Sequence, residues 1–209
     1  MNIGIIGSGN VGGTLGMAWA GRRHQILFSY SREPKKLEGL VASAGPNASA
    51  GSPAEAAQLG EVVVLAVPWP AVDDALQAAG SLAGKILIDC TNPLTSDLSG
   101  LELGHTTSAA EEIARRASGA RVVKAFNSIG AANMANPVFG SQRATMFFCG
   151  DDAAAKTIVA RLVEEIGFEP VDAGALAIAR LLEPLAMLWI HLAYARGMGP
   201  DFAFKLIQR

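Results

Sequence analysis

Charge is sparse in this 209-residue sequence: 17 basic and 19 acidic side chains make up 17% of the residues and leave a formal net charge of −2. Such a surface carries no electrostatic footprint for nucleic acid or for an anionic membrane, so the expected partner is a small molecule. Cysteine is scarcer still. Cys90 and Cys149 both sit in apolar, strand-like contexts and form neither a disulfide framework nor a ligand cluster of metal-site spacing, which points to a reducing, cytoplasmic setting. No basic region or cleavable apolar stretch stands ahead of the opening segment Asn2 to Ile6, so no signal peptide is expected. The longest apolar run, Pro184 to Ala195, is roughly twelve residues and contains His191. A bilayer needs about 20 residues, so the run predicts a buried helix and no membrane span. His24, His105 and His191 are read as structural, and no nucleophile, base and orienter stand together in the pattern. No catalytic residue and no metal site are expected.

What the chain has in quantity is apolar residues, at 50%, enough for a sizeable core. They fall into short runs separated by helical patterns, the order of βαβ units on a parallel sheet with helices on both faces. Strands are predicted over Asn2–Ile6, Gln25–Ser29, Glu61–Ala66, Lys85–Asp89, Arg121–Ala125 and Thr145–Cys149. Helices are predicted over Val11–Ala20, Pro34–Ala42, Pro53–Gln58, Ala71–Ala79 and Ser108–Ala117, several opening at Ser or Pro. Gly45–Pro53 reads as a loop. The last third reads differently: a capped helix Asp151–Ile166, a short strand Phe168–Val171 and a long helical stretch Gly174–Arg196 in which Pro184 is expected to kink the chain. The fold class is therefore α/β, a Rossmann-type sheet over residues 1–150 with a small helical C-terminal portion, 151–209, that completes the sheet and to which the family resemblance given below assigns a share of a second-ligand pocket.

The sequence Gly7-Ser8-Gly9-Asn10-Val11-Gly12 follows a strand directly and opens a helix. In that context the three glycines are a dinucleotide fingerprint: Gly7 for the tight turn, Gly9 for close approach of the pyrophosphate, Gly12 for close packing of helix on strand. The helix start, with free N–H groups and partial positive charge, then faces the phosphates. An NAD site places an acid at the end of the second strand. Here the sequence is Ser29-Tyr30-Ser31-Arg32, a hydroxyl and a guanidinium suited to a 2′-phosphate, with Lys36 placed to add charge, so the cofactor inferred is NADP. Ala66, Val67 and Pro68 end the third core strand and border the same crevice; Trp69 reads either as packing or as a wall beside a planar ring. Asn92 and Pro93 either reach the nicotinamide ribose or form a plain Asn-Pro turn, and Lys124, Asn127 and Ser128 either project towards the crevice or satisfy buried backbone groups.

With these segments in place the sequence resembles the NADPH-dependent reductases of the deazaflavin coenzyme F-420, and also the cytosolic oxidoreductase domain of the six-transmembrane metalloreductases. The resemblance is carried nearly end to end by Ile5 to Gly12, Ser31-Arg32, Val67-Pro68-Trp69, Gly84 to Pro93, Val122 to Asn127, Cys149-Gly150-Asp151 and Gly167 to Gly174. It implies a homodimer in which NADPH exchanges hydride with 8-hydroxy-5-deazaflavin (coenzyme F-420) or a flavin, and it adds Ala125 and Asn127 to the cofactor-lining residues. Transfer between two rings needs orientation from the protein and no acid or base at carbon. Two alternatives stand beside it: an NADPH-dependent reductase of a small carbonyl, imine or hydroxy acid, for which Arg180, Glu183 and His191 are the polar groups on the last helix, and a non-catalytic NADP-binding sensor.

Overall fold

A computed structural model describes residues 1–31 and 34–209. Ten strands and eight α-helices follow in chain order: β1 (Asn2–Ile6), α1 (Asn10–Ala20), β2 (Gln25–Ser29), α2 (Pro34–Ala44), β3 (Ala48–Ala50), α3 (Pro53–Leu59), β4 (Val62–Leu65), α4 (Val72–Ala79), β5 (Ile86–Asp89), α5 (Ala109–Arg116), β6 (Arg121–Lys124), α6 (Ala131–Met134), β7 (Val138–Phe139), β8 (Gln142–Arg143), β9 (Thr145–Gly150), α7 (Ala153–Glu165), β10 (Glu169–Asp172) and α8 (Ala179–Ile190). Eight of the strands form one sheet in the order β10-β9-β6-β5-β4-β1-β2-β3, and β7 and β8 make a separate hairpin.

The central strands are apolar at nearly every position because both faces of the sheet are covered. Alternate residues go to opposite faces. Ile3, Ile5, Val62, Val64, Ile86 and Ile88 pack with Leu15 and Trp19 of α1 and Val159 and Leu162 of α7. Ile6, Val63, Leu65 and Leu87 pack with Ala56, Val72, Ala75, Ile113 and Leu182 on the other side. Trp19 joins α1 to α7 through its indole N–H, which donates to Leu162 O at 3.0 Å, and its ring meets Phe126 edge-on. Three of the helices start on side-chain caps, Ser52, Ser108 and Asp152, each accepting from a backbone N–H three residues on.

The structure departs from the sequence reading in four places. The sheet is mixed, since β9 runs antiparallel to β6 and β10 runs parallel to β9. Residues 45–53 contain the edge strand β3, paired parallel with β2; its three small residues carry no hydrophobic signal. Gly174 is not helical: a 3₁₀ turn at Leu176–Ile178 precedes α8, which runs through Pro184 and ends in a π-helical turn at His191–Ala195. Leu176–Ala195 is one helical stretch of 20 residues, long and apolar enough to cross a membrane by length and composition. A run that begins at Pro184 misses it because Arg180 and Glu183 interrupt the apolar residues. In this fold Ala179, Leu182, Glu183, Ala186 and Trp189 of that stretch are buried in the protein.

Candidate functional site

The carboxyl ends of β1, β2, β4 and β5 open into a cleft of about 1050 Å³. It lies where the strand order reverses about β1, the position at which open α/β sheets bind ligands. Its floor is the loop after β1, whose hydrogen bonds hold it to the end of β2. Gly7 N donates to Ser29 O at 3.2 Å, Ser8 N to Tyr30 O at 3.4 Å and Ser8 Oγ to Ser29 O at 2.8 Å. Gly7 has φ +103°, and a Cβ there would meet Ala66 O at 2.4 Å; a Cβ at Gly12 would meet Gly7 O at 2.1 Å. These two positions exclude any side chain for reasons internal to the fold. Gly9 differs: a Cβ there would meet nothing within 4 Å, so the space above it is open to a ligand. Helix α1 begins at that point with no side-chain cap and no acid in its first turn. Its first N–H groups are therefore left facing the cleft with the positive end of the helix dipole, the arrangement that binds phosphate.

Of the residues singled out from sequence, Gly7, Ser8, Gly9, Asn10, Val11, Ser31, Lys36, Ala66, Val67, Pro68 and Asn92 line this cleft, as does Trp69. Gly12 lies buried beneath the loop, Ala125 is fully buried, and Pro93 is buried with its carbonyl accepting from Glu102 N at 2.7 Å. Asn127 is buried one layer back and exchanges amide hydrogen bonds with Asn92: each Nδ2 donates to the other residue, to Asn127 O at 2.9 Å and to Asn92 Oδ1 at 3.0 Å. Arg32 lies outside the described residues. The only acid among the described residues that line the cleft is Asp74, on α4 and not at the end of β2. The Arg116 guanidinium sits 5.4 Å from the Trp69 ring centre. Tyr30, which lines the cleft, has φ +55°, a left-handed turn that redirects the chain at the end of β2.

At the ends of β5 and β6, behind the cleft-lining Thr91, lies a buried ionic network that sequence reasoning did not assemble. Lys124 at the end of β6 is fully buried, and its Nζ reaches Asp89 Oδ2 at 2.9 Å, Glu183 Oε1 at 2.9 Å and Thr91 O at 2.5 Å, which uses all three of its protons. Glu183, on α8, also accepts from the first backbone N–H groups of α5, Ala109 at 3.0 Å and Ala110 at 3.2 Å. Burial alone would push the Lys124 pKa down; the two carboxylates outweigh it and hold it above its ordinary value. Two carboxylates against one ammonium leave a negative charge, and the positive end of α5 compensates it. Burial also pushes the Cys149 thiol up to about 12 and raises that of Cys90, so neither is a reactive thiolate. The signal for the network was a lone charged residue inside an apolar segment at three places, because such a group is buried only when paired. His24 pairs with Glu165 at 2.7 Å, far along the chain from the glycine loop, and His191 is exposed. Neither lines the cleft. Among the described residues no group of three or more His, Cys, Asp or Glu is placed to hold a metal.

Comparison with known proteins gives the same picture. Residues 2–93 match the family model described as NADP oxidoreductase, coenzyme F420-dependent. The chain is 36% identical over 189 residues to metalloreductase STEAP3 of Rattus norvegicus, covering 89% of this chain and 37% of that protein. It is 35% identical over 147 residues to the F420-dependent NADP reductase of Methanothermobacter marburgensis, covering 66% of this chain and 65% of the relative. The chain thus spans less than two thirds of either curated relative. Among solved structures, a protein of Arthrobacter sp. FB24 assigned as an F420-dependent NADP reductase superposes with TM-score 0.88 at 33% identity, covering 99% of both chains. With the fold, the glycine loop and a near full-length match of this kind in agreement, the chain belongs to the family of coenzyme F420-dependent NADP oxidoreductases.

Proposed function

We propose that the protein is an NADP-dependent oxidoreductase that moves hydride between the nicotinamide and a deazaflavin or flavin held against it. The observation that carries this reading is the uncapped start of α1 over the open space at Gly9, in a cleft to which the end of β2 and the start of α2 bring Ser31 and Lys36 and, among the described residues there, no carboxylate. Gly7 to Val11 would hold the pyrophosphate, Ser31, Arg32 and Lys36 the 2′-phosphate, and Ala66, Val67, Pro68 and Asn92 the nicotinamide ribose. The nicotinamide supplies the hydride chemistry when bound, and the protein contributes orientation and exclusion of water. Among the described residues that line the cleft the acids and bases are Lys36, Tyr30, Asp74 and the Cys90 thiol, whose pKa burial raises; transfer between two rings asks for none of them at carbon. Glu183 is engaged by Lys124 and α5, Arg180 pairs with Glu111, and neither Arg180 nor His191 lines the cleft, so none of these three groups favours reduction of a small carbonyl or imine.

Stopped-flow mixing of the protein with NADPH and each of 8-hydroxy-5-deazaflavin, FMN and FAD tests the proposal. Oxidation of bound NADPH by one of them is expected; failure of all three overturns it. Replacing Arg32 by Ala is expected to weaken NADP⁺ binding by about tenfold or more while leaving NAD⁺ binding within about twofold, the loss of one charge-assisted contact to phosphate. We also propose a homodimer through the outer face of α8, where Leu181 is 67% and Leu188 47% exposed, seven residues apart on one stripe. Light scattering should give twice the chain mass, and the mass should halve in Leu181→Glu.

A further inference from the structure

Among the described residues two buried side-chain polar atoms have no hydrogen-bond partner, Thr91 Oγ1 and Asn127 Oδ1. Both residues lie just beyond the ends of the adjacent strands β5 and β6, which pair Asp89 with Lys124. A buried polar atom left unmet costs about 1–3 kcal/mol, so two in one corner call for a cause. Looseness is not the cause. The backbone of Thr91 is clamped on both sides: its N–H donates to Asp89 Oδ1 at 2.8 Å and its carbonyl accepts from Lys124 Nζ at 2.5 Å. The Asp89–Lys124 ion pair thus fixes this one residue through its backbone. The orientation of the Asn127 amide is settled by its Nδ2, which donates to Asn92 Oδ1 at 3.0 Å and to Leu182 O of α8 at 2.9 Å. Its oxygen is left over as an acceptor. Thr91 and Asn92 both line the cleft, although Thr91 is only 2% exposed.

We propose that the Thr91 hydroxyl binds the carboxamide of the nicotinamide; this rests on the NADP reading above. A primary carboxamide presents one carbonyl oxygen and two N–H donors. A hydroxyl can donate to that carbonyl or accept from the amide, and the phosphates and adenosine have their own candidate groups in the glycine loop and at the end of β2. Asn127 Oδ1 lies one layer behind the cleft and is not part of the contact. Recognition of the reacting ring then rests on a hydroxyl held ready by the Lys124 network and unmet until the ligand arrives, a form of preorganisation.

The test uses the full chain and two ligands, NADP⁺ and adenosine 2′,5′-bisphosphate, which lacks the nicotinamide half. In Thr91→Val a methyl replaces a hydroxyl that has no protein partner, so without ligand the variant should melt at or above the wild-type temperature. Calorimetric titration should show NADP⁺ bound roughly tenfold more weakly and the bisphosphate bound as by wild type. Thr91→Ser, which keeps the hydroxyl, should restore NADP⁺ affinity. Unchanged NADP⁺ affinity in Thr91→Val, an equal loss for both ligands, or a variant that melts lower or does not fold each overturns the role of Thr91. If wild type binds neither ligand, the cofactor reading itself fails; if wild type and variant bind both alike, only this inference does.

Discussion

A methyl group added at Gly9 and one added at Gly12 would do opposite things, and the contrast separates what the loop does for the fold from what it does for a ligand. At Gly12 the new Cβ would lie 2.1 Å from Gly7 O and 2.9 Å from Ile5 Cγ2, so loop and strand must move apart. Gly12→Ala should therefore cost about 1–3 kcal/mol in urea unfolding, as overpacking does. At Gly9 φ is −78° and no atom lies within 4 Å, so Gly9→Ala should unfold within about 0.5 kcal/mol of wild type yet bind NADP⁺ at least about tenfold more weakly. Equal behaviour of the two variants would overturn the division. The spacing of these glycines was readable from sequence because the motif itself is local, although one of the atoms that enforce it, Ala66 O above Gly7, lies at the end of another strand. The role of Lys124 was not readable in that way: its partners Asp89 and Glu183 lie 35 and 59 positions away, and only the fold brings them to one atom.

Between elements, Glu183 is the joint. Through Oε1 and Oε2 it holds Lys124 of β6 and the first N–H groups of α5 at once, so α8 docks on the sheet by a carboxylate and not only by Leu182 and Ala186. In Glu183→Gln one end of the new amide must face the wrong partner: its NH₂ turns either to the Lys124 ammonium or to the α5 N–H groups. Destabilisation by about 1–3 kcal/mol at neutral pH is expected. The pH dependence follows from the raised pKa of Lys124. A base whose folded pKa exceeds its unfolded value, about 10.4, contributes its full stabilisation below that value and loses it as pH rises through the folded one. In Glu183→Gln one of the two carboxylates that raise it is gone, so thermal unfolding followed from about pH 8 to pH 12 should show the alkaline loss setting in earlier than in wild type. An alkaline limb that does not move would exclude the coupling. At this scale the sequence showed the long elements, missed β3, α6, β7 and β8, and did not show strand direction. The apolar pattern of Thr145 to Cys149 is the same for either strand sense, and the reversal of β9 follows from the hairpin and short helix between β6 and β9, whose residues carry little periodic signal.

Across the whole molecule the C-terminal segment closes the structure that the N-terminal half begins. Pro200 O accepts from Asn133 Nδ2 at 2.6 Å and Phe202 O from Trp189 Nε1 at 3.0 Å, and the Phe202 ring stacks on Trp189 with centroids 5.1 Å apart. Phe204 O accepts from Thr145 N at 3.0 Å, Leu206 N donates to Thr145 Oγ1 at 2.9 Å, and Lys205 pairs with Glu169. The segment therefore ties the start of β9, the edge strand β10 and the inner face of α8 to one another. Removing residues 200–209 would strip Trp189 and Asn133 of acceptors and leave Thr145 N unpaired at the sheet, a loss of about 2–4 kcal/mol that for a chain of this length lowers Tm by roughly 5–10 °C. Because β10 and β9 belong to the same sheet as β1 to β6, the loss should fall on one cooperative transition. Calorimetry of the truncated chain should show a single peak displaced downward. A peak at the wild-type temperature, or two separate peaks, would mean that residues 151–209 form a unit that melts apart from the nucleotide-binding half, and that α8 is not held by the segment that follows it.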